Sequence, residues 1–304
     1  MSVPRFVAPA DSGAFLVASP ATEAVYELAE GPAWDARTGT LTWVDMVAGR
    51  VLTGTLDGSR IRERSSEQRP GPVAAALPTD DGGRLVVERD RLVRFGPDAA
   101  VAAVEPLPLH AGAAQVNDAA CDPHGRLLYG TKGSGPQALY RREFDGAITL
   151  IDDDLTLSNG IAWSPDGATL YHADTFAGVV WSRTYDSSSG RIGPRRSHVD
   201  LGGAWPDGIA VDVAGRVWVA VWGAGEVRGY GVEGGLEYTI AVAAPHTSSV
   251  CFAGAEREVL VITTARDGLT ADQLAEWPES GRVFLVDAVA PGVTTTAFRT
   301  VAHE

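Results

Sequence analysis

One recurring pattern limits what this chain can become. The stretch LSNGIAWSPDGATLYHAD, residues 157–174, reads as a short strand from Gly160, a Ser-Pro-Asp-Gly turn and a return strand, with Asn159 immediately ahead of the first strand. The same order of a leading residue, a small residue, apolar and alanine positions, a turn and an alternating strand begins again at Asp207 (DGIAVDVAGRVWVA), Asn117 (NDAACDPHGRLLYG) and Glu30 (EGPAWDARTGTLTWVD). Two fainter copies start at Val73 and Ser248. The six leading positions, 30, 73, 117, 159, 207 and 248, are separated by 43, 44, 42, 48 and 41 residues. Six copies at a period of roughly 40–50 residues predict six four-stranded blades: an all-β, six-bladed β-propeller, expected to occupy residues 1–304 as a single domain.

Local chemistry agrees with this period. Ser-Pro-Asp-Gly and Asp-Pro-His-Gly place proline early and glycine late, as hairpin turns prefer. The 35 glycines and 18 prolines are scattered along the chain, which suits many turns and few long helices. The one good helical stretch is Gly268–Glu276, where Thr270 and Gln273 have the spacing of a capping box; it is expected to decorate the last blade. The segment Ala24-Val25-Tyr26-Glu27-Leu28 reads as a strand that would complete the last blade and close the ring.

Composition bounds the partners. A formal net charge of −14 argues against nucleic acid and anionic membranes. No run of about 18 apolar residues occurs, and the N-terminal MSVPRFVAPADSG lacks a basic region followed by an apolar stretch, so neither a membrane span nor a signal peptide is expected. Cys121 and Cys251 sit in apolar strand patterns and are expected to be buried, inert thiols. Two cysteines make no disulfide framework, so a reducing, cytoplasmic location is expected, with the chain a monomer or weak homo-oligomer.

In a propeller the first strand of each blade lines the central axis, so residues just ahead of those strands converge at the channel mouth. Four of the six carry a carboxylate or amide oxygen: Glu30, Asn117, Asn159 and Asp207. Asn and Asp also favour loops for purely local reasons, but Glu30 is no turn former, and four such residues at equivalent positions point to a shared ligand. Hard oxygen donors without cysteine or histidine suit Ca²⁺, Mg²⁺ or Mn²⁺, and Zn²⁺ remains compatible through carboxylate oxygen. The absence of GxSxG, CxxC, HExxH and glycine-rich phosphate motifs argues against serine-hydrolase, redox and nucleotide chemistry.

The motifs EGPAWD (30–35), VNDAACDPHGR (116–126), SNGIAWSPDGATLY (158–171) and PDGIAVDVAGRVWVA (206–220), with the tail ITTARDGLTADQLAEWPESGRVFLVD, resemble the regucalcin/gluconolactonase (senescence-marker-protein) family over nearly the whole chain. The resemblance implies a six-bladed propeller with one divalent metal in its channel, Ca²⁺ or Zn²⁺ foremost, and hydrolysis of a sugar lactone. It implies Glu30, Asn159 and Asp207 as metal ligands, Asp207 also as acid/base, and Asn117 beside the metal, holding water or substrate. A bound ion would polarise the lactone carbonyl and lower the pKa of its water, with metal-held hydroxide the rival to Asp207 as base.

Two departures bear on substrate. Many sugar lactonases of the family carry an arginine where this chain has Gln115, which hydrogen-bonds but has no charge. The segment GTKGSGPQALYR is shorter than in animal members, where it contributes a substrate-contacting acid. A different lactone, an aryl ester or a phosphotriester is the alternative substrate on the same metal site, and a non-enzymatic metal-binding propeller the alternative outside catalysis. Trp222 and His246 are further candidates for substrate contact, each also readable as structural. His172 and Asp174 read as structural.

Overall fold

The computed structural model describes residues 13–300; all but the last residue of MSVPRFVAPADSG lies outside them. It is a ring of six antiparallel β-sheets, as the repeat predicts. The inner strands are Ala29–Asp35, Val73–Pro78, Ala113–Cys121, Ser158–Trp163, Trp205–Val211 and Thr247–Ala253, in blades 1 to 6 in chain order. Each inner strand contacts the next, and the sixth contacts the first, so the ring is closed. Each of the six repeat positions lies within an inner strand rather than just ahead of it as expected, because the pairing begins at or before the repeat position.

The turns form as their residues require. Asp122 Oδ1 accepts the backbone N–H groups of His124 and Arg126 at 2.9 and 2.8 Å, and Gly125 takes the positive φ of +89° that the turn needs. Asp166 repeats the arrangement, accepting from Ser164 Oγ at 2.6 Å and Ala168 N at 3.0 Å. The apolar positions of the alternating strands pack between blades; Trp43 and Trp218 are among the largest fully buried side chains. Cys121 and Cys251 are buried and unpaired, with burial pushing both thiols up. Helix Ala271–Glu276 has the expected cap: Gln273 N donates to Thr270 Oγ1 and Thr270 N to Gln273 Oε1. Among the described residues no helix is long and apolar enough to cross a membrane.

Ring closure corrects one expectation. Ala24–Leu28 is not a strand; only Leu28 forms an isolated bridge, to Ala265. The backbone N–H groups of Glu27 and Leu28 instead donate to the Asp45 carboxylate, and Tyr26 N donates to Gly281 O, so they are unavailable to a sheet. The preceding residues close blade 6, where Ser19–Pro20 pairs antiparallel with Phe284–Leu285. Ala14–Val17 adds a fifth, parallel strand to the outer edge of blade 5. At the other terminus, residues 292–298 cross one mouth of the channel. Gly292 bridges Asp212 in blade 5, and Phe298 bridges Thr79 at the foot of blade 2, opposite it in the ring.

Candidate active site

Every inner strand is irregular near its start. The pairing shifts register between Glu30 and Ala33, Val73 and Ala75, Val116 and Asp118, Ser158 and Ile161, Pro206 and Ile209, and Thr247 and Ser249. Such bulges bend the strand and re-aim a side chain. The strands also crowd each other here. A Cβ on Gly160 would stand 2.5 Å from Asp207 O, and one on Gly208 would stand 2.6 Å from Ser249 Cα, so the position after Asn159 and Asp207 must be glycine.

The result is one cavity of about 370 Å³ lined by Glu30, Asn117, Asn159 and Asp207 together. Val73 and Ser248 take no part: Val73 belongs to the apolar core, and Ser248 Oγ donates to Ala29 O at 2.6 Å. Asn159 Nδ2 donates to Thr175 Oγ1 at 3.1 Å, and Thr175 Oγ1 donates on to Pro206 O at 2.8 Å, which fixes the amide beside Asp207. Asn117 Nδ2 donates to Ser158 O at 3.0 Å. Ser158 is itself held by the fully buried His172, whose Nε2 lies 2.8 Å from Ser158 Oγ. Asp174 accepts from the N–H groups of Thr156 and Leu157, so His172 and Asp174 hold the frame around the Asn159 strand.

The carboxylates are placed where charge is costly. Burial raises Glu30 to about 8, with the nearby Asp118 charge adding to the effect; the Gly31 N–H and Lys132 oppose it. Asp207 is pushed well above the usual range by burial and by Glu30 and Asp118, with Lys132 and Asn159 opposing. Asp118, one residue past Asn117, is raised to about 6 by burial, against a hydrogen bond from its neighbour Ala119 N. Asp207 Oδ1 is buried without a hydrogen-bond partner. A buried, partnerless carboxylate oxygen near a second carboxylate and an amide oxygen fits a hard divalent cation, which neutralises the repulsion and supplies the missing partner. No group of three or more His, Cys, Asp or Glu side chains is arranged to hold a metal among the described residues; this set combines two carboxylates with an amide.

Of the other candidates only Trp222 lines the cavity; His246 and Gln115 stand outside the lining, against Trp222 and Met46. Trp222 stacks on His246, with centroids 4.2 Å apart and planes at 19°. His246 Nδ1 is 3.0 Å from Asp267 O. Gln115 Nε2 points at Met46 Sδ, 3.7 Å away. Several lining residues escape the repeat reading: Lys132, Phe176, Trp205 and Asp267. Phe176 and Trp205 are exposed at 60% and 44% and meet edge to face at 5.5 Å, an aromatic pair at the mouth. Trp205 lies two residues before Asp207, but the others sit at strand ends and loops outside the repeat. Lys132 did carry a signal, since it lies in the GTKGSGPQALYR segment already marked as unusual.

Fold and cavity together define a class: six-bladed propellers with an oxygen-donor site at one end of the central channel. The family model described as the SMP-30/Gluconolactonase/LRE-like region matches residues 28–266, and the chain belongs to that family. It is similar to a 6-deoxy-6-sulfogluconolactonase of Pseudomonas putida, 32% identical over 282 residues, covering 89% of this chain and 94% of the relative. It is also similar to regucalcin of Danio rerio, 30% identical over 273 residues, covering 86% and 90%. Among solved structures, regucalcin from Agrobacterium tumefaciens, described as a calcium-binding protein, superposes with a TM-score of 0.85 at 25% identity, covering 94% of this chain and 99% of that one.

Proposed function

We propose that this protein hydrolyses lactones, most naturally sugar lactones, at a divalent cation held by Glu30, Asn159 and Asp207. The observation that carries the reading is the partnerless, buried Asp207 Oδ1 in a cavity shared with Glu30 and Asn159. The named activity of the Pseudomonas relative supports the substrate class, and the description of the Agrobacterium structure supports calcium as the ion. Three side-chain oxygens are fewer than the six to eight that Ca²⁺ takes, which leaves positions for water and substrate.

When bound, the cation supplies Lewis acidity and balances the two carboxylates. The protein's own groups do the rest. Asp207 would help to hold the cation and would accept a proton from the attacking water. The water oxygen bonds to the acyl carbon, the ring C–O bond breaks, and the proton passes to the departing ring oxygen. Asn117 keeps one amide hydrogen on Ser158 O and directs the other at the carbonyl oxygen as it becomes negative; such a donor typically contributes ~2.7–4 kcal/mol to the transition state. Leu28, Met46 and Leu157 make part of the wall apolar and limit the access of bulk water.

The test is proton release from sugar lactones, aliphatic lactones and aryl esters, using chelated protein resupplied with Ca²⁺, Zn²⁺, Mg²⁺ or Mn²⁺. Lactone turnover restored by one or more cations is expected. The Phe176–Trp205 pair favours a second reading, an aryl ester stacked at the mouth, and faster turnover of aryl esters than of any lactone would replace the first reading with it. No turnover with any cation would leave a binding protein.

A further inference from the structure

Of the 25 basic side chains in this sequence, 24 are arginines and one is a lysine, Lys132. That single lysine lines the cavity of the Glu30, Asn159 and Asp207 set. It stands near the end of strand Leu127–Gly133 in blade 3, directly across from Gln115 in the antiparallel register. The arginines are largely spent on carboxylates, as in Arg126 with Asp122 and Arg69 with Glu67 and Glu88. Lys132 Nζ instead meets Met46 Sδ at 3.2 Å, the same sulfur that Gln115 Nε2 addresses at 3.7 Å. A thioether is a weak acceptor. The ammonium of Lys132 therefore lines the cavity with one poor acceptor, and the Gln115 amide, outside the lining, addresses the same sulfur.

Balancing the ligand carboxylates does not account for this lysine. It acts on Glu30 and Asp207 only as a distant charge, and a divalent cation neutralises that pair directly. The rim carboxylate Asp267 comes from the loop following strand Val259–Thr264 of blade 6, across the ring from blade 3. The cavity is thus polarised, with its free cation on one side and its exposed carboxylate on the other. A volume of about 370 Å³ is at the scale of a single small-molecule site and lets one ligand reach both the oxygen set and Lys132.

We propose that Lys132, with Gln115 beside it, selects lactones carrying a second, anionic group away from the ring carbonyl: a carboxylate, sulfonate or phosphate seated against blade 3. This rests on the lactonase reading above and names the substrate class. Lysine suits the task because its ammonium is a compact point charge with rotatable donors that accepts anions of differing shape.

The experiment compares the unmodified protein with Lys132→Gln and Lys132→Arg, each checked for an unchanged melting curve. The substrates are D-glucono-1,5-lactone, D-glucaro-1,4-lactone and 6-phospho-D-glucono-1,5-lactone. The ratio of kcat/KM for an anionic lactone over the neutral one is expected to exceed one, to fall about tenfold to a hundredfold in Lys132→Gln, chiefly through KM, and to recover partly in Lys132→Arg. The carboxylate and phosphate arms show which anion is meant. Calorimetric titration with D-glucarate, which requires no turnover, is expected to show the same loss of affinity. A ratio that stays within twofold in Lys132→Gln, with D-glucarate binding unchanged, would overturn the inference while leaving the lactonase reading intact. Lys132-dependent binding of D-glucarate in a protein that opens no lactone would do the reverse.

Discussion

The two ends of the channel are made from the same six strands and enclose similar volumes, about 370 and 300 Å³, yet they are chemically unlike. The upper end gathers Glu30, Asn117, Asn159, Asp207 and Lys132. The lower end is lined mostly by small and apolar residues of the strand interiors, among them Ala33, Ala120, Ala162, Ala210 and Val250, with Asp118 the one inner-strand carboxylate, and Thr294–Thr296 of the C-terminal segment cross it. What separates the two is the regularity of the strand. At the upper end each inner strand is bulged, and a residue freed from regular alternation is turned into the channel. Past the bulge alternation resumes, and small side chains let the six strands approach. Cavity size does not distinguish the two ends; broken pairing does.

If that is the correct distinction, damage at the upper end must be out of proportion. Asp207→Asn keeps the shape and removes the carboxylate proposed as the base. Its kcat is expected to fall by about 10³ or more, within the range by which positioned acid–base groups act, with the melting curve nearly unchanged. Retention of more than a tenth of the turnover would remove Asp207 from the mechanism. The next largest effect is thermodynamic. A cation at a hundred times its Kd contributes about 2.7 kcal/mol, or about 4 °C in Tm for a chain of this length. Ca²⁺ added to chelated protein is expected to give that rise, and Asp207→Asn to abolish it. A rise that survives in the variant places the cation somewhere other than the upper mouth.

Most of the upper end was legible because a repeat aligns positions that the ring then brings together. Glu30, Asn117, Asn159 and Asp207 could be found without knowing any contact, since one period predicts one place at the mouth. Val73 and Ser248 occupy the same position and contribute nothing, because alignment says where a residue stands and only its side chain says what it does. Lys132 and Phe176 were out of reach of this logic, as one lies at the end of a second strand and the other just after one, where the copies diverge. Asp118, which lines the lower cavity, was hidden by its neighbours in the alignment: the equivalent Gly160 and Gly208 are required by close packing and Gly31 by its φ of +51°, so a carboxylate there had no counterpart. Ring closure was misplaced for a similar reason. The apolar pattern of Ala24–Leu28 is that of a strand, but the buried Asp45 carboxylate takes its N–H groups.

A smaller effect concerns what supports the upper end. His172 is buried beneath Ser158, and burial, with the charges of Arg183 and Arg195, lowers it to about 3. The unfolded chain, with this histidine near 6.5, binds a proton that the folded chain refuses. Its contribution is therefore fully present above about pH 6.5 and is lost as pH falls towards 3. Between pH 7 and pH 5 this costs about 2 kcal/mol of stability. Denaturant unfolding of the native protein and of His172→Gln is expected to show a difference in slope over that interval, with the variant flatter. Parallel curves would mean that His172 is protonated in place, and the neutral support inferred for the Asn159 strand would have to be given up.

The smallest expected effect falls at the lower end and tests the comparison from the other side. Ala210 is half-buried, faces the 300 Å³ cavity and belongs to the same strand as Asp207. Ala210→Ser adds one hydroxyl to a lining that already holds the threonines of the crossing segment. Ala210 also packs against the apolar cluster of blades 5 and 6, so the added hydroxyl is expected to cost about 1 kcal/mol in stability. Turnover is expected to stay within twofold and the cation-induced rise in Tm to be unaltered. The two substitutions lie three residues apart on one strand, so the bulge between Pro206 and Ile209 is the structural boundary separating a loss of a thousandfold from no loss at all. A large loss of turnover in Ala210→Ser would mean that the lower channel communicates with the chemistry, and strand irregularity could no longer be used to say where the site ends.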